Sequence, residues 1–136
     1  MADGLRLLAG TTLFDAELTR TNSASTVGNR PVGVPELQAN LGVEWDVPQL
    51  SGLTLGFSAI HTGSQYVNTA NTQSIPSWTR FDLGARYRTM LADREVVVRL
   101  VARNVFDTDY WSAVASWGGI AQGEPRTVLL STSIDF

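Results

Sequence analysis

The side chains best suited to binding a ligand are aromatic residues in the polar stretches of the sequence. Aromatic rings on exposed loops often take part in recognition, because a flat ring can stack on a flat ligand. An equally open alternative is that these rings only pack within their loops or anchor at a membrane interface. The candidate rings are Tyr66, Trp78, Tyr110, Trp111 and Trp117.

Arginines form a second group of candidates, because they recur on the polar side of two predicted strands. A row of arginines would make one wall of the protein electropositive and attract anionic ligands. We favour the alternative that these side chains pair with Asp82, Glu95 and other carboxylates of the wall or of whatever fills the space that they face, since charges that face a protein-filled space are usually paired. The candidate arginines are Arg80, Arg86, Arg88, Arg99 and Arg103.

The residue types needed for catalysis or metal binding are nearly absent. His61 is the only histidine, and the chain has no cysteine. Carboxylates such as Glu44, Asp46 and Asp82 therefore lack the His or Cys partners of a typical transition-metal site. We expect no catalytic site, no metal site and no cofactor. The net charge of −3 and the lack of a basic stripe also argue against binding to nucleic acid.

An alternation of apolar and polar residues predicts the elements that position these groups. From Leu37 to Val47 every odd-numbered residue is apolar, whereas the even-numbered residues are polar or glycine. Successive side chains on a strand point to opposite faces, so the pattern predicts a strand with one apolar face. Similar alternation recurs over residues 53–59, 80–88, 96–103 and 128–136.

The first predicted strand, residues 5–20, keeps the alternation less well. Phe14 and Leu18 share their parity with Arg6, whereas Leu5 shares its parity with Asp15. A β-bulge, which shifts the parity of a strand by one residue, would explain the change. We therefore expect a bulge in this strand.

The connections between the predicted strands alternate in length. Residues 21–35, 64–77 and 107–124 form long polar stretches, whereas residues 48–52 and 91–94 are short. Outer-membrane barrels have short turns on the periplasmic side and longer loops outside the cell. The rhythm predicts an all-β fold: an antiparallel transmembrane β-barrel segment of about six meandering strands, with long extracellular loops and short periplasmic turns.

A soluble β-sandwich would also alternate, because one face of each sheet is core and the other is wet. Two features favour a membrane barrel. The predicted strands approach the roughly 9–11 residues that cross a tilted bilayer. Aromatic residues on the apolar face fall near strand ends, with Trp45, Tyr87 and Phe136 at one rim and Phe106 at the other. Such girdles are typical of a bilayer interface.

Four segments in the second half resemble TonB-dependent siderophore receptors. Residues 80–87 (RFDLGARY) are similar to the penultimate hairpin of that family, and residues 104–111 (NVFDTDYW) to its N-x-F-D-x-x-Y segment. Residues 123–127 (GEPRT) and the terminal residues 131–136 (STSIDF) resemble the last strand. Within these segments Asn104 and Asp107 are turn-forming residues, which we expect to bond nearby backbone.

The resemblance implies that residues 1–136 are the C-terminal part of a barrel in the bacterial outer membrane. Receptors of this type close about 22 strands around a plug, so we expect the plug domain and the N-terminal strands to be absent from this chain. The implied partners are the lipid, the rest of the barrel and plug, a ferric siderophore, and the TonB complex through the missing N-terminal part.

The resemblance also implies a signal for membrane insertion at the C-terminus. The barrel assembly machinery would read the apolar side of the last strand, formed by Val128, Leu130, Ile134 and Phe136. Siderophores hold iron inside a chelate, so no protein ligand to a metal is implied. Two other hypotheses stay open, a small closed outer-membrane barrel of adhesin or structural type and a soluble β-sandwich binding module.

Overall fold

The regular secondary structure of the described residues is almost entirely β-strand. A computed structural model describes residues 4–135. One 3-10 helix, Ala24–Thr26, interrupts the first long loop. The strands are β1 Leu5–Leu13, β2 Leu37–Asp46, β3 Leu53–Thr62, β4 Gln65–Tyr66, β5 Ser74–Ile75, β6 Trp78–Leu91, β7 Arg94–Arg103, β8 Trp111–Val114, β9 Ile120–Gln122 and β10 Thr127–Ile134. Within the described residues no helix has the length and apolar character needed to cross a membrane.

Six strands form one antiparallel sheet in the order β1-β2-β3-β6-β7-β10. The remaining strands make two small hairpins, β4-β5 and β8-β9, inside the long loops. The predicted antiparallel meander of about six strands is therefore confirmed. In the part of the chain that the structure describes, β1 and β10 are the edges of an open sheet. Residues 4–135 do not close into a small barrel of their own.

The register of the sheet sorts the side chains into an apolar face and a polar face. Residues that pair across strands share a face, and Leu41 pairs with Ala59 while Leu100 pairs with both Ala85 and Leu130. The apolar face is uncovered, since Leu83 is 50% and Leu130 is 71% exposed. A β-sandwich would bury such a face under a second sheet, and none lies over it within residues 4–135.

The long and short connections alternate as predicted. Residues 47–52 and 92–93 form the short turns, and residues 14–36, 63–77 and 104–126 form the long loops. We call the two ends of the sheet the turn end and the loop end. The 92–93 turn places Ala92 and Asp93 in the left-handed region, at φ of 50° and 60°. This conformation is typical of a two-residue hairpin turn.

The prediction of a bulge in the first strand is wrong. β1 pairs with β2 in an unbroken register from Leu5 to Leu13, and it ends there instead of continuing to Arg20. Residues 14–18, whose parity conflicted with that of the strand, lie beyond its end. Arg6 takes its place on the polar face, where it bonds both Glu44 and Asp46.

Aromatic residues on the apolar face lie near both ends of the sheet, as predicted. Trp45 and Tyr87 lie at the turn end, and Phe106 follows β7 at the loop end. Phe81 packs edge-on against Phe106, with their ring centroids 5.5 Å apart. Val128, Leu130 and Ile134 of the predicted insertion signal line the apolar face of β10, all exposed. The fourth residue of that signal, Phe136, lies outside the described residues.

Candidate functional site

Two aromatic candidates meet on the polar face at the loop end of β6. The rings of Trp78 and Tyr110 lie 4.4 Å apart between centroids, at an interplanar angle of 32°. Tyr110 reaches this position because the third long loop folds back over the end of the sheet. Tyr110 also interacts with the Arg80 guanidinium. A cavity of about 380 Å³ opens beside the two rings. Its lining includes Trp78, Thr108, Tyr110, Trp111 and Gln122.

Two buried donors next to this stack have no hydrogen-bond partner within the described residues. They are Nε1 of Trp78 and Nε of Arg80. Buried polar atoms are usually satisfied by protein, water or ligand, and an unpaired donor costs about 1–3 kcal/mol. An acceptor such as a carboxylate or hydroxamate oxygen would satisfy such donors. The aromatic pair and the polar residues of the cavity lining suit a ligand that combines a flat surface with oxygen acceptors.

Arg80 is largely neutralised by its surroundings. Its guanidinium lies 3.0 Å from the Asp82 carboxylate and 3.6 Å from that of Glu124. Arg103 shares Glu124 at 3.4 Å. The expected pairing of Arg80 with Asp82 is thus confirmed, as is that of Arg88 with Glu95 at 3.5 Å. The sequence did not predict that Glu124 pairs with Arg80 and Arg103, because the strand pattern does not show where a loop carboxylate lies.

Asn104 fixes the base of the third loop. It is 1% exposed, and its φ of 49° lies in the left-handed region that Asn tolerates better than most residues. Its backbone N–H donates to Asp82 over 2.9 Å, and its side-chain amide donates to the carbonyls of Thr108 and Glu124 over 3.0 and 2.9 Å. Its Oδ1 accepts from the Thr108 N–H. The predicted bonding of Asn104 to nearby backbone is confirmed.

Asp107 closes the same loop at the start of β10. Its Oδ1 accepts the backbone N–H of Arg126 over 2.9 Å, and its Oδ2 lies 3.4 Å from the Arg126 guanidinium. Asp107 therefore bonds a backbone N–H, but the expected bond to nearby backbone is wrong for this side chain, because its partner Arg126 is distant in sequence. Asp107 and Asn104 together therefore hold the two ends of the loop against the sheet, which fixes the positions of Tyr110 and Glu124.

A second group of charges lies on the polar face toward the turn end. Arg6 contacts Asp46 through two hydrogen bonds of 2.5 and 2.9 Å, and Asp46 accepts a bond of 2.7 Å from Thr54. Arg86 donates to Thr54 over 3.3 Å and faces Arg99 directly across the β6–β7 pair. Arg99 has no hydrogen bond or ion pair within residues 4–135. The expected carboxylate partner of Arg99, which could also lie on a plug or on another part of the barrel wall, therefore stays a prediction.

The remaining aromatic candidates are not gathered at one place. Trp111 borders the cavity beside Trp78 and is 46% exposed. Trp117 lies between β8 and β9 and is 83% exposed, away from the cavity. Tyr66 belongs to the β4-β5 hairpin, and its carbonyl accepts the N–H of Gly33 from the first loop. Of the predicted set, only Trp78, Tyr110 and Trp111 come together.

Comparison with known proteins identifies relatives over nearly the whole chain. Residues 3–105 match the family model described as "TonB dependent receptor-like, beta-barrel". The ferrichrome receptor FcuA of Yersinia enterocolitica is 42% identical over 134 residues, which are 98% of this chain and 18% of that protein. The ferrichrome outer membrane transporter/phage receptor of Escherichia coli is 31% identical over 142 residues, which are 100% of this chain and 18% of that protein. The chain spans less than a fifth of these relatives.

Solved structures show the same arrangement of strands. The ferric preacinetobactin receptor BauA of Acinetobacter baumannii superposes with a TM-score of 0.91 at 41% identity, covering 98% of this chain and 20% of that one. The siderophore receptor PiuA of the same organism superposes with a TM-score of 0.76 at 28% identity, covering 97% of this chain and 20% of that one. The predicted fold, an antiparallel segment of a larger barrel, is confirmed.

Proposed function

Since the chain belongs to the TonB-dependent receptor family, we propose that residues 1–136 form the C-terminal part of an outer-membrane receptor that binds a ferric siderophore and mediates its uptake. The relatives described above are named as receptors or transporters for ferrichrome and as a receptor for ferric preacinetobactin. A receptor of this kind binds and moves its substrate without chemical change, so we assign the chain no catalytic role.

The observation that carries this proposal is the contrast between the two faces of the sheet. The apolar face is broad, uncovered and free of charged side chains in the middle of its strands, as contact with lipid tails requires. The polar face carries arginines, carboxylates and bare glycines, which suits the inside of a barrel. We therefore assign the apolar face to the outer-membrane lipid and the polar face to the lumen.

We place the siderophore contact at the cavity beside Trp78 and Tyr110. An aromatic pair contributes about 0.5–1.5 kcal/mol beyond the area that it buries, and a planar iron-binding group could extend this stack. Polar side chains of the lining, such as the amide of Gln122, would bind the oxygen atoms of the chelate. The lining of the cavity by residues of the third loop would let the ligand enter from outside the cell.

The remaining partners follow from the position of the chain in a full receptor. β1 and β10 each leave one edge unpaired in the described residues, and lipid does not tolerate an open sheet edge. We propose that neighbouring strands of the barrel pair with both edges and that a plug fills the lumen. The TonB complex would act through the N-terminal part of the receptor. The barrel assembly machinery would read the β10 signal at Val128, Leu130, Ile134 and Phe136.

The test is uptake of ferric chelates by cells that carry the full-length receptor as their only siderophore receptor. A panel including ferrichrome and ferric preacinetobactin should contain at least one chelate that is taken up. For that chelate, Trp78→Ala should weaken binding by up to about tenfold, the factor that the loss of one stacking contact predicts. Trp117→Ala is the matched control and should bind normally, because Trp117 lies outside the cavity.

The possible results test the proposed function and the proposed position of the ligand site independently. If cells with the intact receptor take up no ferric chelate, the proposed function is wrong. If uptake occurs but Trp78→Ala and Trp117→Ala both bind like the parent receptor, the function stands and the cavity is not its ligand site. Heat-modifiable gel mobility of each variant checks that the barrel has folded.

A further inference from the structure

We propose that a shallow pocket on the polar face between β3, β6 and β7 receives a carboxylate side chain from the part of the receptor that fills the lumen. The pocket has a volume of about 320 Å³, and we call it the arginine pocket. The inference rests on the proposed function in one respect, namely that the polar face lines a barrel. The residues lining the pocket include Glu44, Thr54, Gly56, Gly84, Arg86, Arg99 and Val101.

The charges of the pocket are out of balance. Arg86 and Arg99 are register partners on neighbouring strands, and like charges that face each other in this way destabilise a sheet. Arg86 donates a hydrogen bond to the hydroxyl of Thr54 and interacts at longer range with the Asp46 carboxylate. Arg99 has no hydrogen bond or ion pair within the described residues. The carboxylate of Glu44, which lines the pocket, and that of Asp46 are already bonded to Arg6. A further negative charge would therefore relieve the repulsion and pair Arg99.

Two glycines form the floor of the pocket, and nothing in residues 4–135 requires glycine there. Gly56 and Gly84 face each other across the β3–β6 pair. Neither has a positive φ, and a Cβ at either position would meet only backbone atoms, none nearer than 3.8 Å. The backbone conformation and packing of the described residues would thus allow alanine at both sites. Glycines leave room on a sheet for a close approach of another segment.

Exposed leucines elsewhere on the polar face favour a protein segment over a hydrated chelate as the occupant of the pocket. Leu129 pairs with Val101 beside the pocket and is 48% exposed on the polar face. Leu8, on the same face of β1, is 75% exposed. Exposed leucines facing a water-filled channel would be unfavourable, whereas a packed segment would bury them. The relatives are long enough to supply one, since the chain spans only 18% of them.

The test compares the access of a water-soluble maleimide to single cysteines in the full-length receptor, in outer-membrane vesicles without siderophore. Ser131→Cys is the reporter, because Ser131 pairs with Arg99 and the variant keeps both arginines. Arg99→Cys is the second reporter. Trp117→Cys is the exposed reference. Both reporters should react roughly tenfold more slowly than the reference or slower still, because a covered thiol reacts only when the covering segment opens.

A photo-cross-linking residue at position 99 identifies the segment that covers the arginine pocket. We expect an adduct with a peptide of the same receptor that lies outside residues 1–136 and contains Asp or Glu. Reporters that react as fast as Trp117→Cys would overturn the inference. Protection that arises only after siderophore is added would also overturn it, since the occupant would then be the chelate. An adduct with a peptide that lacks Asp and Glu would show that the occupant of the pocket is not a carboxylate side chain.

A further variant separates failure of this inference from failure of the proposed function. Leu100 is adjacent to Arg99 in sequence and lies on the apolar face. Leu100→Cys should react with a membrane-soluble maleimide and resist the water-soluble one. If Leu100→Cys behaves in this way while both reporters react freely with the water-soluble reagent, the proposal that the pocket is occupied is wrong and the barrel assignment stands. If Leu100→Cys reacts fast with the water-soluble reagent, the assignment of the apolar face to lipid is wrong, and the proposed function fails with it.

Discussion

The carboxylate of Glu124, on the third loop, lies 3.6 Å from the Arg80 guanidinium on the wall of the sheet. The same carboxylate is 3.4 Å from Arg103. One loop side chain therefore reduces the positive charge of two wall arginines next to the candidate ligand cavity. This relationship makes the charge at the cavity adjustable by a single substitution.

Glu124→Gln should raise the affinity for a negatively charged ferric chelate about two- to fivefold, since a partly exposed ion pair is worth up to about 1 kcal/mol. The free energy of unfolding should change by less than about 1 kcal/mol, because the backbone carbonyl that Asn104 binds is retained. Quenching of tryptophan fluorescence in the full-length receptor measures the affinity. Glu36→Gln, which removes the partner of Arg30 in the first loop, is the control. A loss of affinity would mean that Glu124 contacts the chelate itself.

Asn104→Ala should destabilise the receptor by roughly 2–4 kcal/mol, because it leaves buried groups unpaired and places alanine in a left-handed conformation. Asn104→Gly separates the two causes, since glycine accepts the φ of 49° but makes no side-chain bond. The glycine variant should fall between the parent and the alanine variant in urea unfolding. Equal stability of parent and glycine variant would contradict a role for the amide bonds to Thr108 and Glu124.

A lysine on the apolar face should be far more harmful than one on the polar face. Leu41→Lys should lower the stability in lipid by about 2–4 kcal/mol if Leu41 lies near the bilayer midplane. The neighbouring Asn40→Lys points to the opposite face and should change it by less than about 1 kcal/mol, since polar substitutions in the lumen are tolerated. Equilibrium unfolding from vesicles measures both variants. Equal effects would contradict the assignment of the two faces.

The short turn between β6 and β7 offers a stabilising change. Ala92 has a φ of 50°, a conformation that costs a residue with a Cβ about 1–2 kcal/mol. Asn tolerates this region, so Ala92→Asn should stabilise the receptor by about 0.5–1 kcal/mol and slow its unfolding. Ala121→Asn, in the exposed strand β9, should give no gain. A gain at both positions would show that the turn conformation is not the cause.

The faces of the strands could be predicted because a period of two follows directly from strand geometry. Leu41, Leu83 and Leu100 all lie where the alternation places them. The end of β1 could not be predicted, because Phe14 and Leu18 continue an alternating pattern after the strand has left the sheet. Pairing with β2 decides where β1 ends, and that pairing is a long-range property.

The candidate site could be predicted only in part, for the same reason. The sequence placed Trp78 in a long loop next to a predicted strand, whereas it is the first residue of β6 and lies on the polar face. The contact with Tyr110 depends on how the third loop folds. That fold is set by Asn104 and Asp107, whose partners Glu124 and Arg126 lie far along the chain. Aromatic content alone could not distinguish Trp78 from the isolated Trp117.

The network around Asn104 has a consequence for engineering receptors with new substrates. Loops are often treated as cassettes that can be moved between homologous scaffolds. The third loop is held to the sheet by the carboxylate of Asp82, which belongs to β6 and accepts a hydrogen bond of 2.9 Å from the Asn104 N–H. A chimaera that imports this loop therefore has to keep or import an acidic residue at position 82 of the recipient wall.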